Sequence, residues 1–235
     1  KLCTGDPSII VAVSDAAVIY THPDLKANMW VNEKELNGEE GADDDGNGYA
    51  DDIYGFNFIS EYSAITGKEE YIGEIQWNPD SNGQAHGTHV AGTIAAVNNN
   101  GIGVCGIAGG SGNGDGVRIM SVQFSGDKGS ATADGTAAGI QYAADNGASV
   151  LQCSWGEPNG RPATEEEYLK KFGVQADAFN YFINKPRPGS PLNGGIAIVS
   201  AGNDSFGLCS FPGGYSKVVC VTSMSTDFTP STFTN

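Results

Sequence analysis

Six short apolar segments, separated by helix-like patterns, constrain the fold of this chain more than any other feature. They are nearly continuous and rich in β-branched residues, which is typical of strands that are covered on both faces. The segments are residues 8–15, 52–58, 117–124, 148–155, 196–203 and 218–224. Such strands, alternating with helices, predict an α/β fold with a mostly parallel sheet.

Three segments show the periodicity of helices that bury one face: residues 87–97, 132–145 and 165–184. Thr132 is placed to cap the second segment at its N-terminus. The third segment begins with acidic residues, as the helix dipole favours, and it predicts one helix with Leu169 and Phe179 in its buried stripe. No linker or repeat interrupts this pattern, so we expect a single domain over residues 1–235.

The charge balance excludes several classes of partner. Twelve basic residues against twenty-eight acidic ones give a net charge of −16. This field repels phosphate backbones and anionic lipid headgroups, so we expect neither a nucleic acid nor a membrane as partner. No stretch approaches the roughly 18 apolar residues that a membrane-spanning helix needs.

Five cysteines are present, and none forms a CxxC pair, which excludes a zinc ribbon. Cys105, Cys153 and Cys220 lie in apolar runs and are predicted to be buried as small hydrophobic residues. Cys3 lies near the terminus and Cys209 lies in a predicted loop. Either of these two could form a disulfide, and the sequence leaves the pairing open.

Three polar residues follow or begin predicted elements where catalytic groups gather in parallel sheets. Asp15 and Asn203 end strands, and His86 begins a glycine-containing helix. The carboxyl ends of parallel strands lie at one edge of the sheet. An imidazole there is suited to general base catalysis, a carboxylate to orienting it, and an amide to stabilising an oxyanion.

Simpler interpretations of the same residues stay open. Asp15 could cap a strand end, and Asn203 could be an ordinary turn residue. His86 and His89 have the HxxH spacing of a zinc pair, with His22 as the one remaining histidine.

An acidic loop predicts a calcium site. Residues 43–48 match the D-x-D-x-N-G opening of an EF-type loop, in which hard oxygen donors surround a glycine turn. Asp43, Asp45 and Asn47 are the expected ligands, and Asp51 and Asp52 could close the shell because Tyr54 occupies the position of the usual glutamate. The alternative is a solvated acidic loop.

Four segments in order resemble the signatures of the subtilisin-like serine proteases, the subtilases. They are IIVAVSDAAVIYTHPDL, AHGTHVAGTIAA, YAADNGASVLQCSWG and VSAGN. The resemblance implies a three-layer α/β fold with a mostly parallel sheet flanked by helices. It also implies that Asp15 is the aspartate of the Asp-His-Ser triad, His86 the general base and Asn203 the oxyanion donor.

The same resemblance assigns further residues. The segment Ser154-Trp155-Gly156 would pair with an extended substrate, and the peptide bond between Phe211 and Pro212 would be cis. A second structural calcium ion would be held by Asp24, by the Asn100 side chain, and by the backbone carbonyls of Ile102 and Val104. We expect calcium to be structural, and no cofactor to take part in the chemistry.

Two departures from the family pattern shape the functional hypothesis. The family nucleophile lies in a Gly-Thr-Ser-Met-Ala turn, which would follow Asn235, and Ser223 only superficially resembles it because no glycine leads that segment. Ala16 and Ala17 follow Asp15, where the family has a hydroxyl residue and a glycine.

The leading hypothesis is a secreted or cell-surface serine endopeptidase, monomeric when complete. The domain over residues 1–235 would be incomplete at its C-terminus and nearly inert by itself, and its partners would be protein or peptide substrates. The alternative is a degenerate, non-catalytic relative that binds peptides or calcium.

Overall fold

The computed structural model describes residues 4–78, 85–156, 162–188 and 192–235. In these ranges a seven-stranded sheet and a two-stranded hairpin are accompanied by five α-helices. The strands are β1 (Ile10–Asp15), β2 (Gly55–Ser63), β3 (Lys68–Gly73), β4 (Arg118–Gln123), β5 (Ser125–Gly126), β6 (Gly129–Ser130), β7 (Val150–Cys153), β8 (Ile196–Ser200) and β9 (Val219–Val221). The helices are α1 (Glu33–Leu36), α2 (Ala85–Ala95), α3 (Ala133–Asp145), α4 (Glu165–Lys171) and α5 (Gly173–Asn184).

The large sheet has the strand order β3-β2-β4-β1-β7-β8-β9. Every neighbouring pair is parallel except β2 and β3, which pair antiparallel. The mostly parallel α/β fold is therefore confirmed, with a strand in each of the six predicted segments. The apolar segments do not predict strand β3, because its sequence KEEYIG lacks the character of a central strand.

Helices cover both faces of the sheet, which gives three layers. On one face, α3 packs against α5 and against β2, and Ile140 and Phe179 are buried in that cluster. On the other face, Ala91 of α2 packs with Val13 and Ile119. The sheet lies between the two clusters, which cover its faces. The carboxyl ends of the parallel strands lie at the edge of the sheet, where a site is expected.

The second predicted helix is confirmed, including its cap, because the Thr132 Oγ1 accepts a hydrogen bond from the Gly135 N–H at 3.2 Å. The single helix predicted over residues 165–184 is wrong. The chain leaves helical geometry at Phe172 (φ −125°, ψ 34°), so α4 and α5 are separate helices. This break rotates the stripe: Tyr168 is fully buried, whereas Leu169 is 44% exposed.

Two predictions about cysteines are wrong and one is confirmed. Cys153 is buried, as its apolar strand predicts. Cys105 is exposed, because the apolar run around it forms a surface loop after α2 instead of a strand. Cys220 is half-buried and forms a disulfide with Cys209, a pairing that the sequence leaves open.

The peptide bond between Phe211 and Pro212 is cis, as the resemblance implies. Of the helices within the described ranges, none combines the length and the apolar character that a membrane crossing requires.

Candidate active site

Asp15 and His86 form the central contact of the candidate site. Asp15 is the last residue of β1 and is 4% exposed, and His86 is the second residue of α2. The His86 Nδ1 lies 2.7 Å and 2.9 Å from the two Asp15 carboxylate oxygens. The imidazole side chain is 55% exposed, so a buried carboxylate orients a ring that remains accessible.

Gly87 allows α2 to approach β1 this closely. A Cβ at this position would lie 3.0 Å from the Asp15 Cβ and would overlap the Ala17 carbonyl oxygen. The HG dipeptide therefore places the imidazole beside the carboxylate, because only glycine leaves room for the turn that follows β1.

The two alanines after Asp15 do not disturb the carboxylate. The Ala16 N–H donates to the Asp15 Oδ1 at 2.7 Å, which supplies a backbone partner. Ala17 is buried and is not among the residues with positive φ, so its methyl group is accommodated without strain of that kind. Burial raises the pKa of Asp15 above its usual value, and the hydrogen bonds from His86 and Ala16 oppose this rise.

The arrangement is suited to a general base. A carboxylate at Nδ1 favours the tautomer with its proton there, and the Nε2 lone pair is then available to accept a proton. Among the described residues, His86 has no hydrogen bond at Nε2. A zinc site at His86 and His89 would need a third ligand. Among the described residues, the one group of three close metal-ligating side chains contains no histidine, so no such ligand is found there.

The other predicted active-site residues lie at the same edge of the sheet. Ser154 and Trp155 directly follow β7, the neighbour of β1, and Asn203 follows β8, the next strand on the same side. The Trp155 Nε1–H donates to the Ser14 Oγ at 3.2 Å, and its ring lies 5.1 Å from the Phe124 ring. This contact anchors the segment over the sheet edge.

The Asn203 side chain is exposed and has no hydrogen-bond partner among the described residues, so its amide is available to a ligand. Asn235 organises the loop around it, a role for which the sequence gives no signal. The Asn235 Oδ1 accepts hydrogen bonds from the N–H groups of Asp204 (2.9 Å) and Phe206 (3.1 Å), and its Nδ2 donates to the Ser210 Oγ.

The predicted acidic loop brings three carboxylates together, and one of them comes from outside the predicted set. Ligand oxygens of Glu35, Asp43 and Asp45 all lie within 4.8 Å of one another. Glu35 lies on α1, outside the loop motif, and accepts hydrogen bonds from the backbone N–H groups of Asp44, Asp45 and Asp51.

Two other predicted ligands in the loop make different contacts. The Asp51 carboxylate accepts from the Gly41 N–H and is not part of the cluster. The Asn47 amide donates to Asp45 at 3.2 Å and to Asp52 at 3.0 Å, so it links the cluster to a fully buried carboxylate.

The second predicted calcium loop wraps around one carboxylate. Asp24 is buried, and its two oxygens accept from the Asn100 Nδ2 at 2.6 Å and the Val104 N–H at 2.9 Å. The Ile102 N–H donates to the Asn100 Oδ1. The structure therefore brings these residues together around the Asp24 carboxylate, each of whose oxygens accepts one N–H hydrogen bond.

Comparison with known proteins identifies the family. The sequence profile of the subtilase family (peptidase S8) matches residues 6–235. The chain belongs to the subtilases. Subtilisin-like protease 1 of Plasmodium berghei is 47% identical over 97 residues, which are 41% of this chain and 14% of that protein. The halolysin-like extracellular serine protease Nep of Natrialba magadii is 26% identical over 231 residues, 98% of this chain and 32% of that protein.

The fold of the subtilases is also found among solved structures. The protease domain of PatA, solved as a mutant, superposes with a TM-score of 0.64 at 21% identity, over 99% of this chain and 64% of that one. The chain thus spans a seventh to a third of the two relatives' lengths and less than two thirds of this structure.

Subtilases commonly bind calcium, and the cluster around Glu35 fits that ion. Ca²⁺ takes six to eight oxygen ligands at about 2.3–2.6 Å, so two ligands on opposite sides lie about 5 Å apart. The 4.8 Å limit on the spacing of the three carboxylates agrees with this distance. Glu35, Asp43 and Asp45 would hold the ion, and its charge would offset their mutual repulsion.

Calcium is expected to stabilise this subtilase through Glu35. An ion that binds only the folded state adds RT ln(1 + [Ca]/Kd), about 2.7 kcal/mol at one hundred times Kd. We expect Glu35→Gln to remove most of the increase in melting temperature that calcium causes. Glu33→Gln, on the same short helix but exposed, is the matched control. A full calcium response in Glu35→Gln would contradict the assignment.

The stability of the calcium-free protein is expected to depend on Asp52. Burial raises the pKa of Asp52 to about 6, although hydrogen bonds from the side-chain amides of Asn47 and Asn32 oppose the rise. Between the unfolded value of 3.8 and about 6, the folded state binds a proton that the unfolded state does not, so this group stabilises the fold as the pH falls. The ionised form costs at most about 3 kcal/mol at pH 7, at about 1.4 kcal/mol per pKa unit.

We therefore expect Asp52→Asn to be more stable than the parent at pH 7, and the difference to shrink at pH 5. Urea unfolding with a chelator present would measure both. Asp51→Asn, at the exposed neighbouring position, controls for the loss of one loop charge. A stability difference between Asp52→Asn and the parent that stays the same at pH 7 and pH 5 would contradict this role of Asp52.

Proposed function

We propose that this chain contributes the aspartate, the general base and the oxyanion donor of a serine endopeptidase. The observation that carries the proposal is the contact between the buried Asp15 carboxylate and the His86 Nδ1, with the rest of the ring accessible. Burial and the bond from Ala16 keep the carboxylate in place, and the family supplies the chemistry. The retained contact favours an enzyme over the non-catalytic alternative, despite Ala16 and Ala17.

In the proposed mechanism, the Nε2 of His86 takes the proton of a serine hydroxyl as its oxygen attacks the peptide carbonyl carbon. Asp15 stabilises the resulting imidazolium, and the Asn203 amide donates to the tetrahedral oxyanion. His86 then gives the proton to the departing amine, which leaves an acyl-enzyme. A water molecule, deprotonated by His86, hydrolyses this ester and restores the serine.

The nucleophile is proposed to lie outside residues 1–235. Among the described residues, no serine hydroxyl bonds to the Nε2 of His86. Ser223 makes other contacts: its Oγ lies 2.7 Å from the Ser231 Oγ, and its N–H donates to the Thr234 Oγ1. Val219 and Val221 of β9 are about half exposed, so this apolar sheet edge favours a further packed element.

A fluorophosphonate probe tests this proposal, because it forms a covalent bond with an activated serine. We expect the probe to label the protein that includes the following sequence, and peptide hydrolysis to disappear with labelling. We expect residues 1–235 alone to be neither labelled nor active. Labelling within residues 1–235 would contradict the assignment of the nucleophile, and an unlabelled, inactive longer protein would contradict the function.

Asn203→Ala is expected to lower kcat of the active protein by roughly 10²–10³-fold with little change in KM. Removing one oxyanion donor costs about 2.7–4 kcal/mol of transition-state stabilisation, the value known for subtilisin. Steady-state hydrolysis of a peptide substrate would measure it. Asn193→Ala, at another exposed position, is the control. A variant with unchanged kcat would remove Asn203 from the mechanism.

Protein or peptide chains are the proposed substrates, with Ser154, Trp155 and Gly156 as the segment that pairs with them. We propose that the protein acts outside the cell as a monomer, in line with the extracellular relative from Natrialba magadii. Calcium is proposed as a structural ion at the Glu35 cluster and at the Asp24 loop.

A further inference from the structure

A cavity of about 630 Å³ opens beside β2, between the loop that precedes this strand and the chain segment that follows β3. Its volume lies in the range of small-ligand sites. We propose that this cavity binds a basic side chain, arginine or lysine, of the polypeptide substrate. That the ligand belongs to a substrate rests on the proposed function, whereas the affinity for a cation does not.

The walls of the cavity are suited to a flat or compact cation. Tyr20 and Tyr54 are stacked with ring centroids 4.6 Å apart and planes at 13°. Tyr71 also lines the cavity and is partly exposed. Aromatic faces attract ammonium and guanidinium groups through their quadrupoles, and most strongly where water is partly excluded.

Three carboxylates lie in the same lining, from Glu40, Asp51 and Glu74. No lysine or arginine is among the lining residues, and within the described ranges none of the three carboxylates forms an ion pair. The Asp51 carboxylate accepts one hydrogen bond from the Gly41 N–H. Three anionic groups and aromatic walls, without an internal cation, complement a positively charged ligand.

The cavity is distinct from the calcium cluster, because Glu35, Asp43 and Asp45 are absent from its lining. It lies close to the catalytic pair. The Gln76 N–H, next to the lining residue Ile75, donates to the Gln123 side chain at 2.8 Å, and Gln123 is the β4 partner of Asp15.

The distance suits one peptide that occupies both sites. Tyr20 lies five residues after Asp15, so their Cα atoms are at most about 18 Å apart. An extended peptide of about six residues covers such a distance. A peptide that contacts the catalytic pair can therefore place a basic side chain in the cavity.

The neighbouring strand favours a polypeptide over a free cation. β3 is the edge of the sheet, so its outer backbone groups are unpaired among the described strands, and its residues 71–73 also line the cavity. Such an edge offers hydrogen bonds to an extended chain. Glu69 and Glu70 add negative charge along the same strand.

Calorimetric titration with a peptide tests the proposal. The probe is an acetylated, amidated hexapeptide with one arginine, compared with the same peptide carrying citrulline, which has the same shape without the charge. Saturating calcium keeps the acidic loop occupied. We expect the citrulline peptide to bind at least tenfold more weakly, and added salt to weaken the arginine peptide.

The paired variants locate the effect. The double variant Glu40→Gln and Glu74→Gln is expected to weaken arginine-peptide binding at least tenfold. The matched double variant Glu166→Gln and Asp177→Asn removes the same charge at exposed positions on α4 and α5, which neither line the cavity nor belong to β3, and it is expected to change binding less than twofold. Equal losses in the two variants, or equal binding of the two peptides to the parent, would overturn the proposal.

Peptide hydrolysis is measured separately, so the two proposals fail independently. Hydrolysis without selective arginine binding would overturn the cavity assignment alone. Selective arginine binding by the longer protein, if that protein never hydrolyses peptides, would support the cavity and contradict the endopeptidase function.

Discussion

His86→Ala is expected to lower kcat for peptide hydrolysis by roughly 10⁶-fold, the loss that removal of the histidine causes in subtilisin. The serine hydroxyl is a weak nucleophile until a base takes its proton, and the Nδ1 contact with Asp15 leaves Nε2 as that base. The exposed ring makes few packing contacts, so the melting temperature should change little. Single-turnover hydrolysis would measure the residual rate.

The matched control is His89→Ala, one turn further along the same helix and exposed. We expect it to retain kcat within a factor of about two, since the ring has no part in the mechanism. A similar loss in both variants would mean that the helix, and not the base, had been disturbed. Substantial hydrolysis by His86→Ala would remove the general base from the mechanism.

Asp15→Asn is expected to lower kcat by roughly 10⁴-fold while the protein stays folded. Asparagine fits the buried space of aspartate and keeps an oxygen for the Ala16 N–H. Its amide can donate to the Nδ1, and the proton of the imidazole then lies on Nε2, where a base is needed. Hydrolysis rates and thermal unfolding, measured on the same preparation, separate this effect from misfolding.

Asp177→Asn, an exposed position on α5, controls for the loss of one negative charge. We expect this control to match the parent. An Asp15→Asn variant with near-normal kcat would mean that the carboxylate serves only to cap the end of β1.

The central architecture can be predicted because it depends on local patterns. Continuous β-branched segments identify strands covered on both faces, and all six predicted segments contain one. Edge strand β3 needs no second apolar face, so its polar sequence gives no such signal. The break at Phe172 also escapes prediction, because helical periodicity continues through residues on either side of it.

The candidate site is predictable where the chain order and the sheet edge determine it. Asp15 and His86 end or begin elements that the parallel topology brings together. Glu35 escapes prediction because it approaches Asp43 and Asp45 from another element, with no spacing that marks it. The Cys209–Cys220 pair depends on the approach of a loop to β9, which the sequence does not encode locally.

The close fit between Gly87 and the turn after β1 limits which substitutions this part of the chain can accept. The two segments touch through main-chain atoms and the Asp15 Cβ, so the geometry of the pair does not depend on the side chains at positions 16 and 17. Alanines at positions 16 and 17, where the family has a hydroxyl residue and a glycine, are therefore compatible with this geometry. At position 87, by contrast, any side chain would force the two segments apart and move the imidazole away from the carboxylate, so only glycine is compatible with the pair.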